Sequence, residues 1–157
     1  MSTILLRFLR PRMQPAQSKS CHALVLLVDD NPDGILARQS VLQELGYRVA
    51  SADSGAEALK RVESERFDLV ITDFRMQPMN GLELIRELRK RGFANPIILL
   101  SGFADTLGLR PESTGADVVM QKSANEIANL VRHTKRLLSP RKPVQSARKS
   151  VARAGQG

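Results

Sequence analysis

The chain of 157 residues has no tryptophan, one tyrosine and a single cysteine, Cys21. A lone cysteine excludes an intramolecular disulfide and a zinc site made of several cysteines, and it favours a cytoplasmic protein. No apolar run reaches the roughly 18–20 residues of a membrane-spanning helix, so we expect no membrane span. Because aromatic residues are scarce and the apolar share is 42%, aliphatic side chains must fill the core.

Acidic residues are absent from both ends of the chain. All 16 acidic residues lie within 23–138, together with 15 of the 24 basic ones, so the formal net charge of +8 comes from the two ends. We predict a basic flexible extension over 1–22, a globular domain over 23–138 and a basic disordered tail over 139–157. Basic ends with a single aromatic residue, Phe8, predict no specific binding to nucleic acid.

The middle of the chain alternates strand and helix signals. Short apolar runs predict buried parallel strands over 23–28, 47–50, 68–72, 96–100 and 117–121. Helix caps lie between them at Asn31 with Pro32, Ser54 with Glu57, Asn80 with Glu83, and Ser123 with Glu126. Ile35, Leu36, Gln39, Leu42 and Leu45 follow the first cap at helical spacing. Gly108 and Pro111 predict a short or irregular fourth helix over 104–114. The alternation predicts an α/β fold.

Polar side chains stand at the ends of four predicted strands. They are Asp29 and Asp30 after the first strand, Asp73 after the third, Ser101 after the fourth and Lys122 after the fifth. Ligands of open parallel sheets bind beyond the carboxyl ends of the strands, so we expect these groups to line one crevice. Oxygen ligands suit Mg²⁺, and Asp73 could act as a nucleophile toward phosphorus. Ser101 and Lys122 could bind the phosphate oxygens.

These residues and their neighbours resemble the receiver domains of two-component response regulators. The matching segments are VDDN at 28–31, DFRM at 73–76, MNG at 79–81, LLSG at 99–102 and GAD at 115–117, followed by Lys122. The resemblance covers 23–138. It implies a flavodoxin-like, doubly wound sheet of five parallel strands in the order 2-1-3-4-5, with helices on both faces. It also implies that a partner histidine kinase or phosphotransfer protein phosphorylates Asp73.

The resemblance assigns the remaining roles residue by residue. It implies a Mg²⁺ site made of Asp29, Asp30, Asp73 and the backbone carbonyl of Arg75, with Ser101 as the switch hydroxyl and Lys122 at the phosphate. Arg75 and Phe103, each two residues beyond a site residue, should flank the path by which water reaches the phosphoryl group. Both are bulky, so we expect slow self-hydrolysis.

Three positions depart from the pattern of the family. Gln77 stands where the family usually has proline, and Val119 replaces the aromatic switch residue. Ser123 follows the lysine, where the family usually has a proline in a cis bond. A cis bond before a residue other than proline costs about 2.5–4 kcal/mol, so we expect the Lys122–Ser123 bond to be trans.

Two functions of different classes fit these features. The first is a stand-alone receiver, for which we expect a phosphoryl acceptor rather than an enzyme, with some capacity to assist its own phosphorylation and dephosphorylation. Because only 19 residues follow Leu138, we expect output to an unknown downstream protein by contact or phosphorelay, from a monomer or weak dimer. The alternative is a switch-deficient interaction module whose basic ends contact nucleic acid or acidic surfaces. An aspartate-based phosphatase is disfavoured, because Arg75 occupies the place of its second aspartate.

Overall fold

The computed structural model describes residues 23–140, so the predicted extension over 1–22 and nearly all of the predicted tail lie outside the described residues. Within 23–140, strands and helices alternate along the chain. The elements are β1 (Leu24–Val28), α1 (Pro32–Glu44), β2 (Arg48–Ala52), α2 (Gly55–Ser64), β3 (Leu69–Asp73), α3 (Gly81–Lys90), β4 (Ile97–Ser101), α4 (Pro111–Thr114), β5 (Val118–Gln121) and α5 (Glu126–Leu138). The strands form one parallel sheet in the order β2-β1-β3-β4-β5, which confirms the predicted fold.

Two apolar cores cover the two faces of the sheet. One includes Leu59 of α2 and Leu84 of α3, and the other includes Leu42 of α1 and Leu130 of α5. The strands β3 and β4 are buried along their whole length because helices cover both faces, which explains their continuous apolar runs. Full burial of one such leucine or isoleucine side chain contributes about 1.5–3 kcal/mol to stability.

Three of the four predicted helix caps form. Asn31, Ser54 and Asn80 each accept a hydrogen bond from a backbone N–H two or three residues later. The fourth prediction is wrong, because α5 begins only at Glu126 and its N-cap, Asn125, makes no side-chain cap bond. Ser123 Oγ instead accepts a hydrogen bond from the Asn125 N–H at 3.3 Å. Glu126 does not turn back to cap the helix, and its carboxylate binds Arg38 of α1 instead.

The buried face of α1 differs from the apolar spacing of its sequence. Arg38 and Leu42 are buried, whereas Leu36 is 64% exposed. Successive helical residues are rotated by about 100°, so Leu36 lies well off the face shared by Ile35, Arg38 and Leu42. The apolar pattern is therefore incomplete, because an arginine takes one of the core-facing positions.

The chain between β4 and α4 is irregular, as predicted from its glycine and proline. Residues 102–108 form consecutive turns, in which the Leu107 N–H donates to the Phe103 carbonyl at 2.9 Å. Gly108 has a positive φ of 61°, a conformation that favours glycine. The helix α4 itself has only four residues. This side of the domain therefore presents loops where the other crossovers present helices.

Candidate functional site

The register of the sheet brings the predicted site residues to one edge. Val28 pairs with Thr72, so Asp29 and Asp73 follow at neighbouring positions on β1 and β3. Ser101 pairs with Gln121, so Lys122 follows at the same edge on β5. The strand order reverses between β1 and β3, and this is where open α/β sheets bind ligands.

Asp73 is a buried carboxylate with a cationic partner. Asp73 is 4% exposed, and its Oδ1 lies 2.5 Å from Nζ of Lys122. Burial raises the pKa of Asp73 above its ordinary value, and the charge of Asp29 adds to this, whereas Lys122 lowers it. The Lys122–Ser123 bond is trans as predicted, since the only cis peptide bond within 23–140 precedes Pro78.

The backbone around Asp73 is packed closely against the start of α3. A Cβ atom added at Gly81 would lie 2.4 Å from the carbonyl oxygen of Asp73 and 2.9 Å from Cδ1 of Leu99. The Gly81 N–H also donates to the carbonyl of Phe74 at 2.9 Å. Glycine is therefore required at position 81, because any side chain would displace the end of β3.

Asp29 is equally buried and is held by two donors. Its Oδ1 accepts a hydrogen bond from the Asn31 N–H at 3.0 Å, and its Oδ2 accepts one from Nη1 of Arg38 at 2.7 Å. Arg38 also donates from Nε to Oε1 of Glu126 at 2.8 Å. Burial lowers the pKa of Arg38, but the two carboxylates outweigh this and raise it. Asp30, the next residue, is exposed at the mouth of the edge.

The oxygen donors at this edge suit a magnesium ion. Between residues 23 and 140, no three histidine, cysteine or acidic side chains already form a cluster that could hold a metal. Mg²⁺ does not need one, because it usually keeps several waters and takes only one or two protein carboxylates. Asp29 and Asp73 are buried neighbours whose charges interact, and a cation between them would relieve their repulsion. The residues present therefore fit this ion.

At β4 and β5, the edge has the predicted switch hydroxyl of Ser101 but no aromatic ring at position 119. Ser101 is 1% exposed, and its Oγ accepts a hydrogen bond from the Phe103 N–H at 3.0 Å. Val119 is half-buried and packs against the core. Cζ of Arg75 lies 4.7 Å from the centroid of the Phe103 ring, so the two predicted access residues contact each other.

Comparison with known proteins identifies the family. The model of the response regulator receiver domain matches residues 25–134. The chain belongs to this family. No helix within residues 23–140 is long and apolar enough to cross a membrane.

Solved structures and curated proteins agree with this assignment. The response regulator TrrA of Thermotoga maritima, in complex with Mg²⁺-BeF, is 36% identical with a TM-score of 0.67 over 74% of this chain and 99% of that one. A structure of TrrA with the histidine kinase ThkA shows 38% identity. The regulatory protein PhoP of Bacillus subtilis is 35% identical over 62% of this chain and 41% of its own. The receiver-like domain thus spans less than half of that curated relative.

The sequence analysis missed Arg38 and Glu126 as parts of the site. Only Arg38 was visible in principle, because it stands three residues after Ile35 and four before Leu42, on the apolar face of α1. A charged residue on such a face requires a buried partner. Its partners could not be read from the chain, since Glu126 lies 88 residues away.

Proposed function

We propose that this receiver domain accepts a phosphoryl group on Asp73 from a histidine kinase or phosphotransfer protein in the cytoplasm. The observation that supports this most directly is the buried Asp73 carboxylate at the end of β3, with Nζ of Lys122 at 2.5 Å. A structural loop aspartate would be solvated, and a buried one without function would be costly. The binding of a kinase by the similar protein TrrA supports the choice of donor.

The transfer is a displacement at phosphorus. One carboxylate oxygen of Asp73 attacks the phosphorus of a phosphohistidine, a P–O bond forms, and the P–N bond breaks with its electron pair returning to the imidazole nitrogen. Lys122 stays at the new phosphate oxygens as a compact positive charge. Ser101 turns its hydroxyl toward them, since the hydroxyl can donate where it now accepts from Phe103.

Asp29, Asp30, Asp73 and the backbone carbonyl of Arg75 would hold Mg²⁺ in this proposal. When bound, the ion neutralises the charge on the transferring phosphoryl group. Between them, Asp29 and Asp73 would form the inner part of that site, because both are buried, and the exposed Asp30 would bind from the solvent side. The TrrA structure with Mg²⁺-BeF supports this choice of ion.

The output would be a contact with a downstream protein or onward transfer of the phosphoryl group. Phosphorylation replaces the single negative charge of the Asp73 carboxylate with the roughly 1.5 to 2 negative charges of a phosphoryl group at a buried position, which is enough to reorganise adjacent loops. The turns over 102–108 lie next to Ser101 and are the part of the edge with least regular structure. They would therefore respond first, in a monomer or weak dimer.

The contact between Arg75 and Phe103 would lengthen the life of the phosphorylated state. The two residues join the loops that follow β3 and β4, each two positions beyond a residue that binds the phosphoryl group. Water must approach in line with the Asp73–phosphorus bond, and bulky groups beside this path reduce the chance of such an approach. The expected result is slow self-hydrolysis.

Incubation of the full chain with acetyl phosphate and Mg²⁺ tests the acceptor role. Intact mass spectrometry should show addition of one phosphoryl group to the wild type and to Asp105→Asn, an exposed acid on the neighbouring loop. Asp73→Ala should stay unmodified. An unmodified wild type, under conditions that label a control receiver, would contradict the proposal and favour the switch-deficient module. Label that persists in Asp73→Ala would contradict it as well.

A further inference from the structure

Arg38 forms a buried ionic link between the candidate metal site and α5. It is 7% exposed, and its guanidinium contacts Oδ2 of Asp29 at 2.7 Å and Oε1 of Glu126 at 2.7 Å. Asp29 lies at the end of β1 and Glu126 at the first residue of α5. The link therefore joins three elements: the β1 edge, the helix α1 and the beginning of the last helix.

The sequence around Arg38 is adapted to this link. A Cβ atom at Gly34, one turn earlier, would lie 2.9 Å from Oδ2 of Asp29 and 3.1 Å from Nη1 of Arg38. Glycine leaves this space open, whereas a side chain at position 34 would force the carboxylate or the guanidinium to shift. Glycine in a helix lowers stability by about 1 kcal/mol relative to alanine, so Gly34 makes α1 less stable than alanine would.

Arg38 and the Asn31 N–H bind different oxygens of the Asp29 carboxylate. The Asn31 N–H already occupies Oδ1 of Asp29, and Arg38 occupies Oδ2 at a charge-assisted distance. A magnesium ion bound to Asp29 must share this carboxylate with a guanidinium that stays charged at every accessible pH. Two cations on one carboxylate repel each other, and burial strengthens the repulsion.

We propose that Arg38 is a positioning residue that competes with the divalent cation for Asp29, lowers the cation affinity of the site and couples cation binding to the contact between α1 and α5. The inference rests on the proposed function, because it requires the Mg²⁺ site. Coupling is reciprocal: if Arg38 weakens cation binding, the bound cation weakens the Arg38–Asp29 pair by the same factor. The guanidinium then shifts toward Glu126, beside a groove of about 270 Å³ between α1 and the start of α5.

Calorimetric titration of the full chain with Mg²⁺ alone measures the competition. Arg38→Met keeps the unbranched stem of the side chain but removes the charged guanidinium, and we expect it to bind Mg²⁺ about tenfold more tightly than wild type. Arg38→Lys keeps the charge and should stay within about twofold of wild type. Glu126→Gln removes the charge that offsets Arg38, so its affinity should fall by about two- to threefold.

A matched control is Arg89→Met, which breaks an ion pair with Asp117 at the opposite end of the sheet. Its Mg²⁺ affinity should equal that of wild type. Amide hydrogen exchange supplies a second readout: because the guanidinium moves toward Glu126, Mg²⁺ should slow exchange in the first turn of α5 in wild type and leave it unchanged in Arg38→Met.

The outcomes separate this inference from the proposed function. If wild type binds Mg²⁺ and Arg38→Met binds it equally or more weakly, the inference is overturned and the proposed function stands. If no variant binds Mg²⁺, both are overturned. Should Arg38→Met fail to fold, the other variants decide: weaker binding by Glu126→Gln with near-normal binding by Arg38→Lys supports the inference, and stronger binding by Glu126→Gln overturns it.

Discussion

The edge of the sheet that carries the candidate site has two sides, and they are built differently. On the β1 and β3 side, each buried carboxylate has a close cationic partner: Asp29 pairs with Arg38 of α1, and Asp73 pairs with Lys122, which reaches across from the end of β5. On the β4 and β5 side, residues 102–108 are a series of turns, α4 has only four residues, and Leu107 is 52% exposed. The first side is constrained by close packing and by ion pairs. The turns of the second side have few buried side chains.

This difference indicates which half of the domain can move. Packed interiors tolerate little displacement, whereas segments with few buried contacts open at low free-energy cost. Asp29 and Asp73, which would take the cation and the phosphoryl group in the proposed function, are therefore expected to stay fixed. The signal would leave through the turns beyond Ser101, where Gln121 donates from its side chain to the Gly102 carbonyl at 2.6 Å and supplies one of the few cross-links.

The largest predicted effect compares two glycines, one on each side. Gly81→Ala places a Cβ atom 2.4 Å from the Asp73 carbonyl, while Gly102→Ala meets nothing within 4 Å. We expect Gly81→Ala to lower the free energy of unfolding by about 2–3 kcal/mol, as overpacking does. Gly102→Ala should change it by less than about 0.5 kcal/mol. Urea denaturation followed by circular dichroism measures both.

Equal stability losses in the two variants would contradict the comparison, since they would show that both sides are packed alike. A stable Gly81→Ala variant that also keeps normal phosphorylation would show that the end of β3 can move.

The sequence predicted the site residues on both sides better than the ion pairs between them. Asp29, Asp73, Ser101 and Lys122 could be placed at one edge because each follows a strand, and parallel strands bring their ends together. The irregular fourth crossover was equally visible, from Gly108 and Pro111. The long-range ion pairs could not be predicted, because the periodicity of strands and helices does not indicate which residues far apart in the chain contact each other.

The error at the start of α5 has the same origin. A serine with a glutamate three residues later is a local signal for a capping box, and it predicted a helix start at Ser123. A buried guanidinium is a stronger partner for Glu126 than a backbone N–H, so the tertiary contact prevailed over the local motif.

The second prediction concerns the buried charge on the packed side. The pKa of Asp73 is raised in the folded protein above its ordinary value of 3.8. The native state therefore binds the proton more tightly than the unfolded state, and the stability of the wild type falls as pH rises from about 3.8 through the native pKa. Asp73→Asn lacks this titration and should be more stable than wild type at pH 7, by about 1 kcal/mol.

Thermal unfolding at several pH values measures this effect. The advantage of Asp73→Asn should shrink as pH falls through the native pKa of Asp73 toward 3.8. Asp105→Asn, on the exposed loop of the other side, is the control and should show no such advantage. An Asp73→Asn variant less stable than wild type at pH 7 would mean that the ion pair with Lys122 outweighs the burial of the carboxylate.

The smallest predicted effect lies where the two sides meet, at the contact of Arg75 with Phe103. Phe103→Ala removes the ring and leaves Arg75 without its partner, so water should reach the phosphorylated Asp73 more often. We expect loss of phosphoryl label several-fold faster than in wild type, since such exposed contacts contribute only about 0.5–1 kcal/mol. Leu107→Ala, which removes another exposed apolar side chain from the same turns, is the matched control and should decay at the wild-type rate. Decay is followed by intact mass after removal of acetyl phosphate. If Phe103→Ala and Leu107→Ala decay alike, access is not set by this contact, and the loops of the two sides act independently.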